Sequence, residues 1–189
     1  RLLDRWGVAP FQGRAGAFCE YVKTRRLRCL SGQGDWETLR RFDRPAVLRL
    51  NRPDGAATPV LLRALDGEHA TLDLDGKPVT VPLSQLKPLW AGQYLLLWEL
   101  QTDQAIIGPG NNGEAVRWLR RRLATAAGQS APEAPSERFD AELGNQVRAF
   151  QKQHGLLADG MAGEQTLLLL NNLAPPPDTP RLSRPTREP

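Results

Sequence analysis

Only two cysteines and two histidines occur in the 189 residues, together with one methionine and two tyrosines. So few thiols and imidazoles cannot furnish a four-ligand structural zinc site and leave anything over for catalysis. A hydrolase built on a Cys–His pair would need both residue types in the right places. No stretch approaches the roughly 18 consecutive apolar residues of a membrane span. The longest apolar runs are Tyr94–Trp98 and Leu167–Leu170, which suit a buried strand and a buried helix. Aromatic residues make up 6% of the chain and do not interleave with its basic clusters, Lys23/Arg25/Arg26/Arg28, Arg40/Arg41/Arg44 and Arg117/Arg120/Arg121/Arg122. Without stacking platforms, and mixed with acids, these clusters read as solvated helix faces, and no nucleic-acid partner is expected.

What is there is globular. Hydrophobic residues form 40% of the chain, and its length fits one medium domain or two small ones, either able to bury a core. The net charge of +4 comes mainly from residues 1–103, with 15 basic and 12 acidic side chains, whereas residues 104–173 carry seven of each. Position 1 is Arg and not Met. The chain is therefore expected to be a processed or excised piece, from which an upstream signal or membrane anchor could be missing.

The patterning divides the chain into residues 1–103, 104–173 and 174–189. Residues 15–27 have Phe18, Tyr21 and Val22 at helical spacing, and Asp35 precedes a short helix as its N-cap. From Pro45 the period becomes two. Strands are expected over 46–50, 60–65, 70–74 and 78–81, separated by Pro53-Asp54-Gly55, Asp66-Gly67 and Asp75-Gly76 turns, with a helical turn near Ser84 and a last strand over Tyr94–Leu100. This is a helix-first α+β domain with an antiparallel sheet. Beyond Gly108-Pro109-Gly110 the period returns to 3.6, giving helices around Val116–Leu123, over Ala141–His154 and over Gly163–Leu173. Six prolines in the 16 residues from Ala174 predict a disordered or extended tail.

Within the second segment the residues Gly113, Val116, Leu119, Leu123, Phe139-Asp140, Val147, Phe150-Gln151, His154-Gly155-Leu156, Asp159-Gly160, Gly163 and Thr166 occur in order. In this they resemble the small three-helix peptidoglycan-binding domain of bacterial wall enzymes. The apolar positions make a mini-core, Gly155 ends a helix, and Asp159-Gly160 reverses the chain. The resemblance implies a wall ligand, whose peptide stems carry carboxylates that Arg side chains and helix N-termini can hold. The candidate groove residues are Arg117, Arg120, Arg121, Gln151, Asp159 and Gly160. His154 is expected to be a packed or capping side chain, with no second His near it to make a metal pair.

In the first segment Cys19 opens a helix, where a thiolate is stabilised by the helix dipole. The order of helix, strands, Asp73–Gly76, Trp90-Ala91-Gly92 and Tyr94–Trp98 resembles the bacteriocin-leader-processing cysteine peptidases, which implies a papain-like fold. The position of their catalytic His falls near Thr58-Pro59-Val60, which has no imidazole, and His69 is out of register. Without a base Cys19 stays mostly a thiol. A bridge to Cys29 is expected instead, and it requires the helix to end near Arg25–Leu27, since ten helical rises span about 15 Å and a bridge needs less than about 7 Å between Cα atoms. Two buried thiols or a working nucleophile are the alternatives.

Together, Cys19…Cys29-Leu30, Gly34-Asp35-Trp36, Leu39-Arg40, Arg44-Pro45-Ala46-Val47-Leu48, Leu89-Trp90-Ala91-Gly92 and Leu97-Trp98 are similar to the periplasmic region of the general secretion pathway protein A family of type II secretion. The resemblance implies a non-catalytic periplasmic scaffold, tethered to the inner membrane by an upstream helix, that binds peptidoglycan and partner protein B and helps the outer-membrane secretin assemble. It brings no cofactor, metal or ATP site to these residues. The competing readings are a cysteine peptidase, which would need His69 to reach Cys19, and a wall hydrolase targeted by the second domain. The latter would need paired carboxylates or zinc. Asp73 and Asp75 are read as solvent-facing hairpin residues, and an open sheet edge as a candidate partner surface.

Overall fold

The computed structural model describes residues 1–52 and 54–183. Pro53, part of an expected turn, and residues 184–189, part of the expected tail, lie outside them. The chain divides into two compact units, Arg1–Glu99 with the returning segment from Pro177, and Leu100–Pro176. The break falls after Glu99, a little before the expected boundary at 103.

The first unit is a helix followed by an antiparallel sheet, the order expected of a degenerate cysteine-peptidase domain. Its elements are α1 (Phe18–Lys23), β1 (Leu27–Gln33), α2 (Trp36–Phe42), β2 (Ala46–Asn51), β3 (Ala57–Leu65), β4 (His69–Leu74), β5 (Lys77–Pro82), α3 (Leu83–Leu86) and β6 (Trp90–Glu99). The six strands lie in the order β1-β6-β2-β3-β4-β5, each pair antiparallel. Cross-strand register puts Val47, Leu61 and Leu95 on one face and Leu48, Val60 and Tyr94 on the other. The helix α2 covers the second face through Trp36 on Trp90, with ring centroids 4.2 Å apart, and Phe42 near Tyr94. The first face is covered by a cluster of Leu2, Leu3, Val22, Leu27, Leu61 and Leu97. Coverage on both faces is why β6 reads as a continuous apolar run rather than as an alternation.

The N-terminal helix is shorter than its periodicity suggests. It stops at Lys23, where the N–H groups of Thr24, Arg25 and Arg26 turn back onto the carbonyls of residues 21–23, and Arg26 takes a left-handed φ of 61°. The chain then enters β1, a strand missing from the sequence reading because its burial does not alternate. Asp35 does cap α2, accepting from the Thr38 N–H at 2.8 Å. After Gln33 the backbone passes so close to β6 that a Cβ at Gly92, φ 94°, would sit 2.4 Å from the Gly34 carbonyl oxygen.

Of the two hairpin aspartates, one departs from expectation. Asp73 does not face solvent: its side chain is 8% exposed, paired with Arg1 at 3.0 Å and accepting from the Gly76 N–H at 2.8 Å. Asp75, at φ 55°, occupies the exposed turn itself. The described part of the tail, expected to be disordered or extended, forms no helix or strand and is held against the first unit. Asp43, 6% exposed and left-handed at the end of α2, accepts from the Ser183 N–H at 2.8 Å, from Ser183 Oγ at 3.0 Å and from Arg181 Nε. The Leu65 N–H donates to the Leu182 carbonyl, and the Leu182 side chain is buried.

The second unit is a three-helix bundle of α4 (Glu114–Ala126), α5 (Ala141–Gln153) and α6 (Glu164–Leu173). Val116, Leu119, Leu143, Val147, Leu168 and Leu170 are each 0% exposed and form its core. Each fully buried aliphatic side chain contributes about 2 kcal/mol to this core. Asp140 caps α5 on the Leu143 N–H, and Gly155, φ 63°, follows its end.

Cys19 on α1 and Cys29 on β1 are bridged, with their Cα atoms 5.7 Å apart. We expect the native mass to rise by two hydrogens on reduction, and reduction to cost about 2–3 kcal/mol of stability in urea titration, the chain-entropy value for a loop of this length. Two thiols alkylated without reductant would contradict the bridge. The Asp43→Asn variant, which tolerates the left-handed backbone, is expected to lose about 1–3 kcal/mol and to become cleavable by protease near Ser183. Asp35 and Asp140 are held below the usual carboxylate range, first of all by the N–H groups they cap. Their contribution is therefore complete above about pH 4 and is lost as pH falls through the lowered values, so urea midpoints should be flat between about pH 5 and 7 and fall below about pH 4.

Candidate functional site

The first unit holds both residue types that a Cys–His site would need, but apart from one another. Cys19 lies in the first turn of α1, but its sulfur is bonded to Cys29. His69 begins β4. In the sheet order, four strand spacings separate it from β1, about 19 Å at roughly 4.8 Å each. Its imidazole instead lies half-exposed beside Asp66, 3.6 Å away. Pro59, in the segment where a base is expected, lines a shallow hollow of about 570 Å³ with Val47, Tyr94 and Leu95. Among the described residues no cluster of three or more His, Cys, Asp or Glu could hold a metal ion.

In the second unit the six candidate wall-binding residues separate into two groups. Gln151 is 2% exposed. Its Nε2 donates to Asp159 Oδ1 and to the Met161 carbonyl, both at 2.9 Å, with Thr166 Oγ1 at 3.3 Å, and its Oε1 accepts from the Gly160 N–H at 2.9 Å. Asp159 also accepts from the Met161 N–H, which with Gln151 holds its carboxyl below the ordinary range. At Gly160, φ 81°, a Cβ would meet the Arg148 guanidinium at 2.8 Å. Gln151, Asp159 and Gly160 thus form one closed network in which the buried amide is fully used. His154 is packed as expected, stacked on Phe150 with its Nδ1 2.9 Å from the Phe150 carbonyl.

The three arginines of α4 are engaged with acids. Arg117 pairs with Glu137 and Glu114, and Arg121 with Glu114. Arg120 is the most enclosed, 13% exposed, and donates through Nη2 to Asp140 at 2.6 Å and to the Arg138 carbonyl at 3.0 Å. Of the six candidates only Arg120 also borders the groove of about 470 Å³ between the C-terminal half of α4, the turn after it and α5. That groove has a floor of Leu123, Ala124 and Ala149 and a rim of Gln129, Gln146 and Gln153. Sequence reasoning did not select these residues. The available signal was Gln146, Ala149 and Gln153 at positions i, i+3 and i+7 of α5, a stripe of amides with a small residue between them.

The chain's likenesses agree with this architecture. Residues 112–170 match the family described as "Putative peptidoglycan binding domain". General secretion pathway protein A of Aeromonas hydrophila is 34% identical over 162 residues, which is 85% of this chain and 29% of that relative. A relative from Escherichia coli (strain K12) is 29% identical over 172 residues, 89% of this chain and 34% of its own length. The chain therefore spans about a third of the length of the curated relatives it matches. The crystal structure of a periplasmic domain of the EpsAB fusion protein of the Vibrio vulnificus type II secretion system is similar at 30% identity with a TM-score of 0.58, covering 92% of this chain and 75% of that one. With both units spanned by these matches, the chain belongs to the general secretion pathway protein A family.

Proposed function

We propose that this chain is a non-catalytic periplasmic scaffold of a type II secretion system. It binds peptidoglycan through its helical unit, engages partner protein B, and thereby helps the outer-membrane secretin assemble through the wall, with a segment outside this chain tethering it to the inner membrane. The observation that carries the reading is the Cys19–Cys29 bond. A peptidase needs a thiolate and a base within hydrogen-bond reach, whereas here the sulfur is consumed and His69 stands several strands away. A bridged pair also suits an oxidising compartment. The match of residues 112–170 to a wall-binding family supports the ligand class, and the likeness to a domain of an EpsAB fusion protein supports a B-type partner.

The test is sedimentation with purified sacculi. The whole chain is expected to pellet with them, and a variant in which a flexible linker replaces residues 104–173 is expected to stay in the supernatant. Equal pelleting of that variant would remove the wall-binding role from the helical unit. Cleavage of a leader-type peptide by the oxidised chain, at a rate abolished in Cys19→Ser, would overturn the non-catalytic reading.

A further inference from the structure

The groove between α4 and α5 has the character of a ligand site rather than of an incidental surface hollow. Its volume of about 470 Å³ lies within the roughly 300–1,000 Å³ of small-molecule sites. The floor is built from side chains too small to fill it, Ala124 and Ala149, over the buried Leu123. Around the rim Gln129, Gln146 and Gln153 each present a carbonyl acceptor and an amide donor. At one end Arg120 is held in place by Asp140 and the Arg138 carbonyl.

We propose that this groove is the wall-ligand site, taking a stem peptide beside its acetamido sugar, with peptide and acetamido amide groups on Gln146 and Gln153 and Arg120 bounding one end. The inference rests on the wall-binding reading above and adds the site and the part of the wall it takes. The chemistry of the lining matches that class. Peptide and acetamido groups each need one donor and one acceptor, which glutamine provides in complementary form, and the alanine side chains of a stem fit over an alanine floor. Arg117 and Arg121, paired with Glu114 and Glu137, do not line this groove. The Gln151–Asp159–Gly160 network has no free hydrogen-bonding capacity on its amide to offer.

The experiment titrates the isotope-labelled whole chain with three probes: a free stem tetrapeptide, a disaccharide tetrapeptide, and the acetamido disaccharide without peptide. Amide shifts are expected at 120–129 and 146–153, with the disaccharide tetrapeptide tightest. Ala149 is exposed on α5, so Ala149→Trp fills the groove without entering the core, and it should weaken binding at least about tenfold. Gln146→Ala and Gln153→Ala should each weaken it about two- to tenfold, the value of one hydrogen bond. The Arg117→Gln/Arg121→Gln pair should bind as the parent does. Shifts centred on the Asp159 turn or the Arg117 face, or a folded Ala149→Trp chain that binds and pellets with sacculi undiminished, would overturn the groove while leaving the wall-binding reading intact. Failure of the parent chain to pellet at all would overturn both.

Discussion

The Cys19–Cys29 bond joins two elements that are individually weak. The helix α1 has six residues, too few to persist by itself in water, and β1 is an edge strand held by β6 on one side only. Tying them together holds Val22 and Leu27 against Leu61 and Leu97, and so closes one face of the sheet. The same bond consumes the sulfur that a peptidase of this architecture would use. Stability and chemistry are therefore in competition at one atom. The bridge stabilises a unit whose first helix would otherwise fray.

In the second unit a buried amide has the corresponding position. A bundle of this size cannot define its turns by apolar packing alone, and Gln151 does so by fixing Asp159, Gly160, Met161 and Thr166 around one side chain. A satisfied polar hub in a small core specifies one arrangement of the chain, since any slip leaves several buried groups unpaired. The residues that carry the likeness to wall-binding domains are thus largely those that hold the three helices together. They identify the scaffold, and the surface that meets a ligand has to be sought among side chains that the scaffold leaves free.

This distinction explains which parts were legible in the sequence. Strands β2 to β5, the cap at Asp35 and the three helices of the bundle were visible, because each follows from local periodicity or from a turn residue. The strand β1 was not, since half of it is exposed and its partner lies more than sixty residues away in β6. Asp73 was misread for the same reason: its partner Arg1 is 72 residues distant, and no local pattern announces the pair. Gln151, Asp159 and Gly160 were read as wall-binding candidates and are joined in one closed network, since motif position alone does not separate a residue that binds a ligand from one that closes a turn. The amides around the groove were not selected, because exposed glutamines on a helix carry no signal until the small residues between them are seen to leave a hollow.

The segment after Pro177 shows how composition can mislead in the opposite direction. A proline-rich stretch lacks N–H donors and has little conformational freedom, so it forms neither helix nor sheet, yet for the same reasons it loses little entropy on docking. One receptive carboxylate is then enough to fix it. Asp43 accepts from both ends of the Arg181–Ser183 segment, and it also lies beside Arg44, which is 2% exposed and has its pKa lowered to about 10 by burial. At neutral pH that guanidinium remains charged, and the Asp43 carboxylate is the group that favours its charged form, while Arg181 opposes it. The returning segment therefore docks onto a charge that the fold already requires. The Asp43 carboxylate thus serves two neighbours, lying beside the buried arginine and accepting from Arg181 and Ser183 of the returning segment.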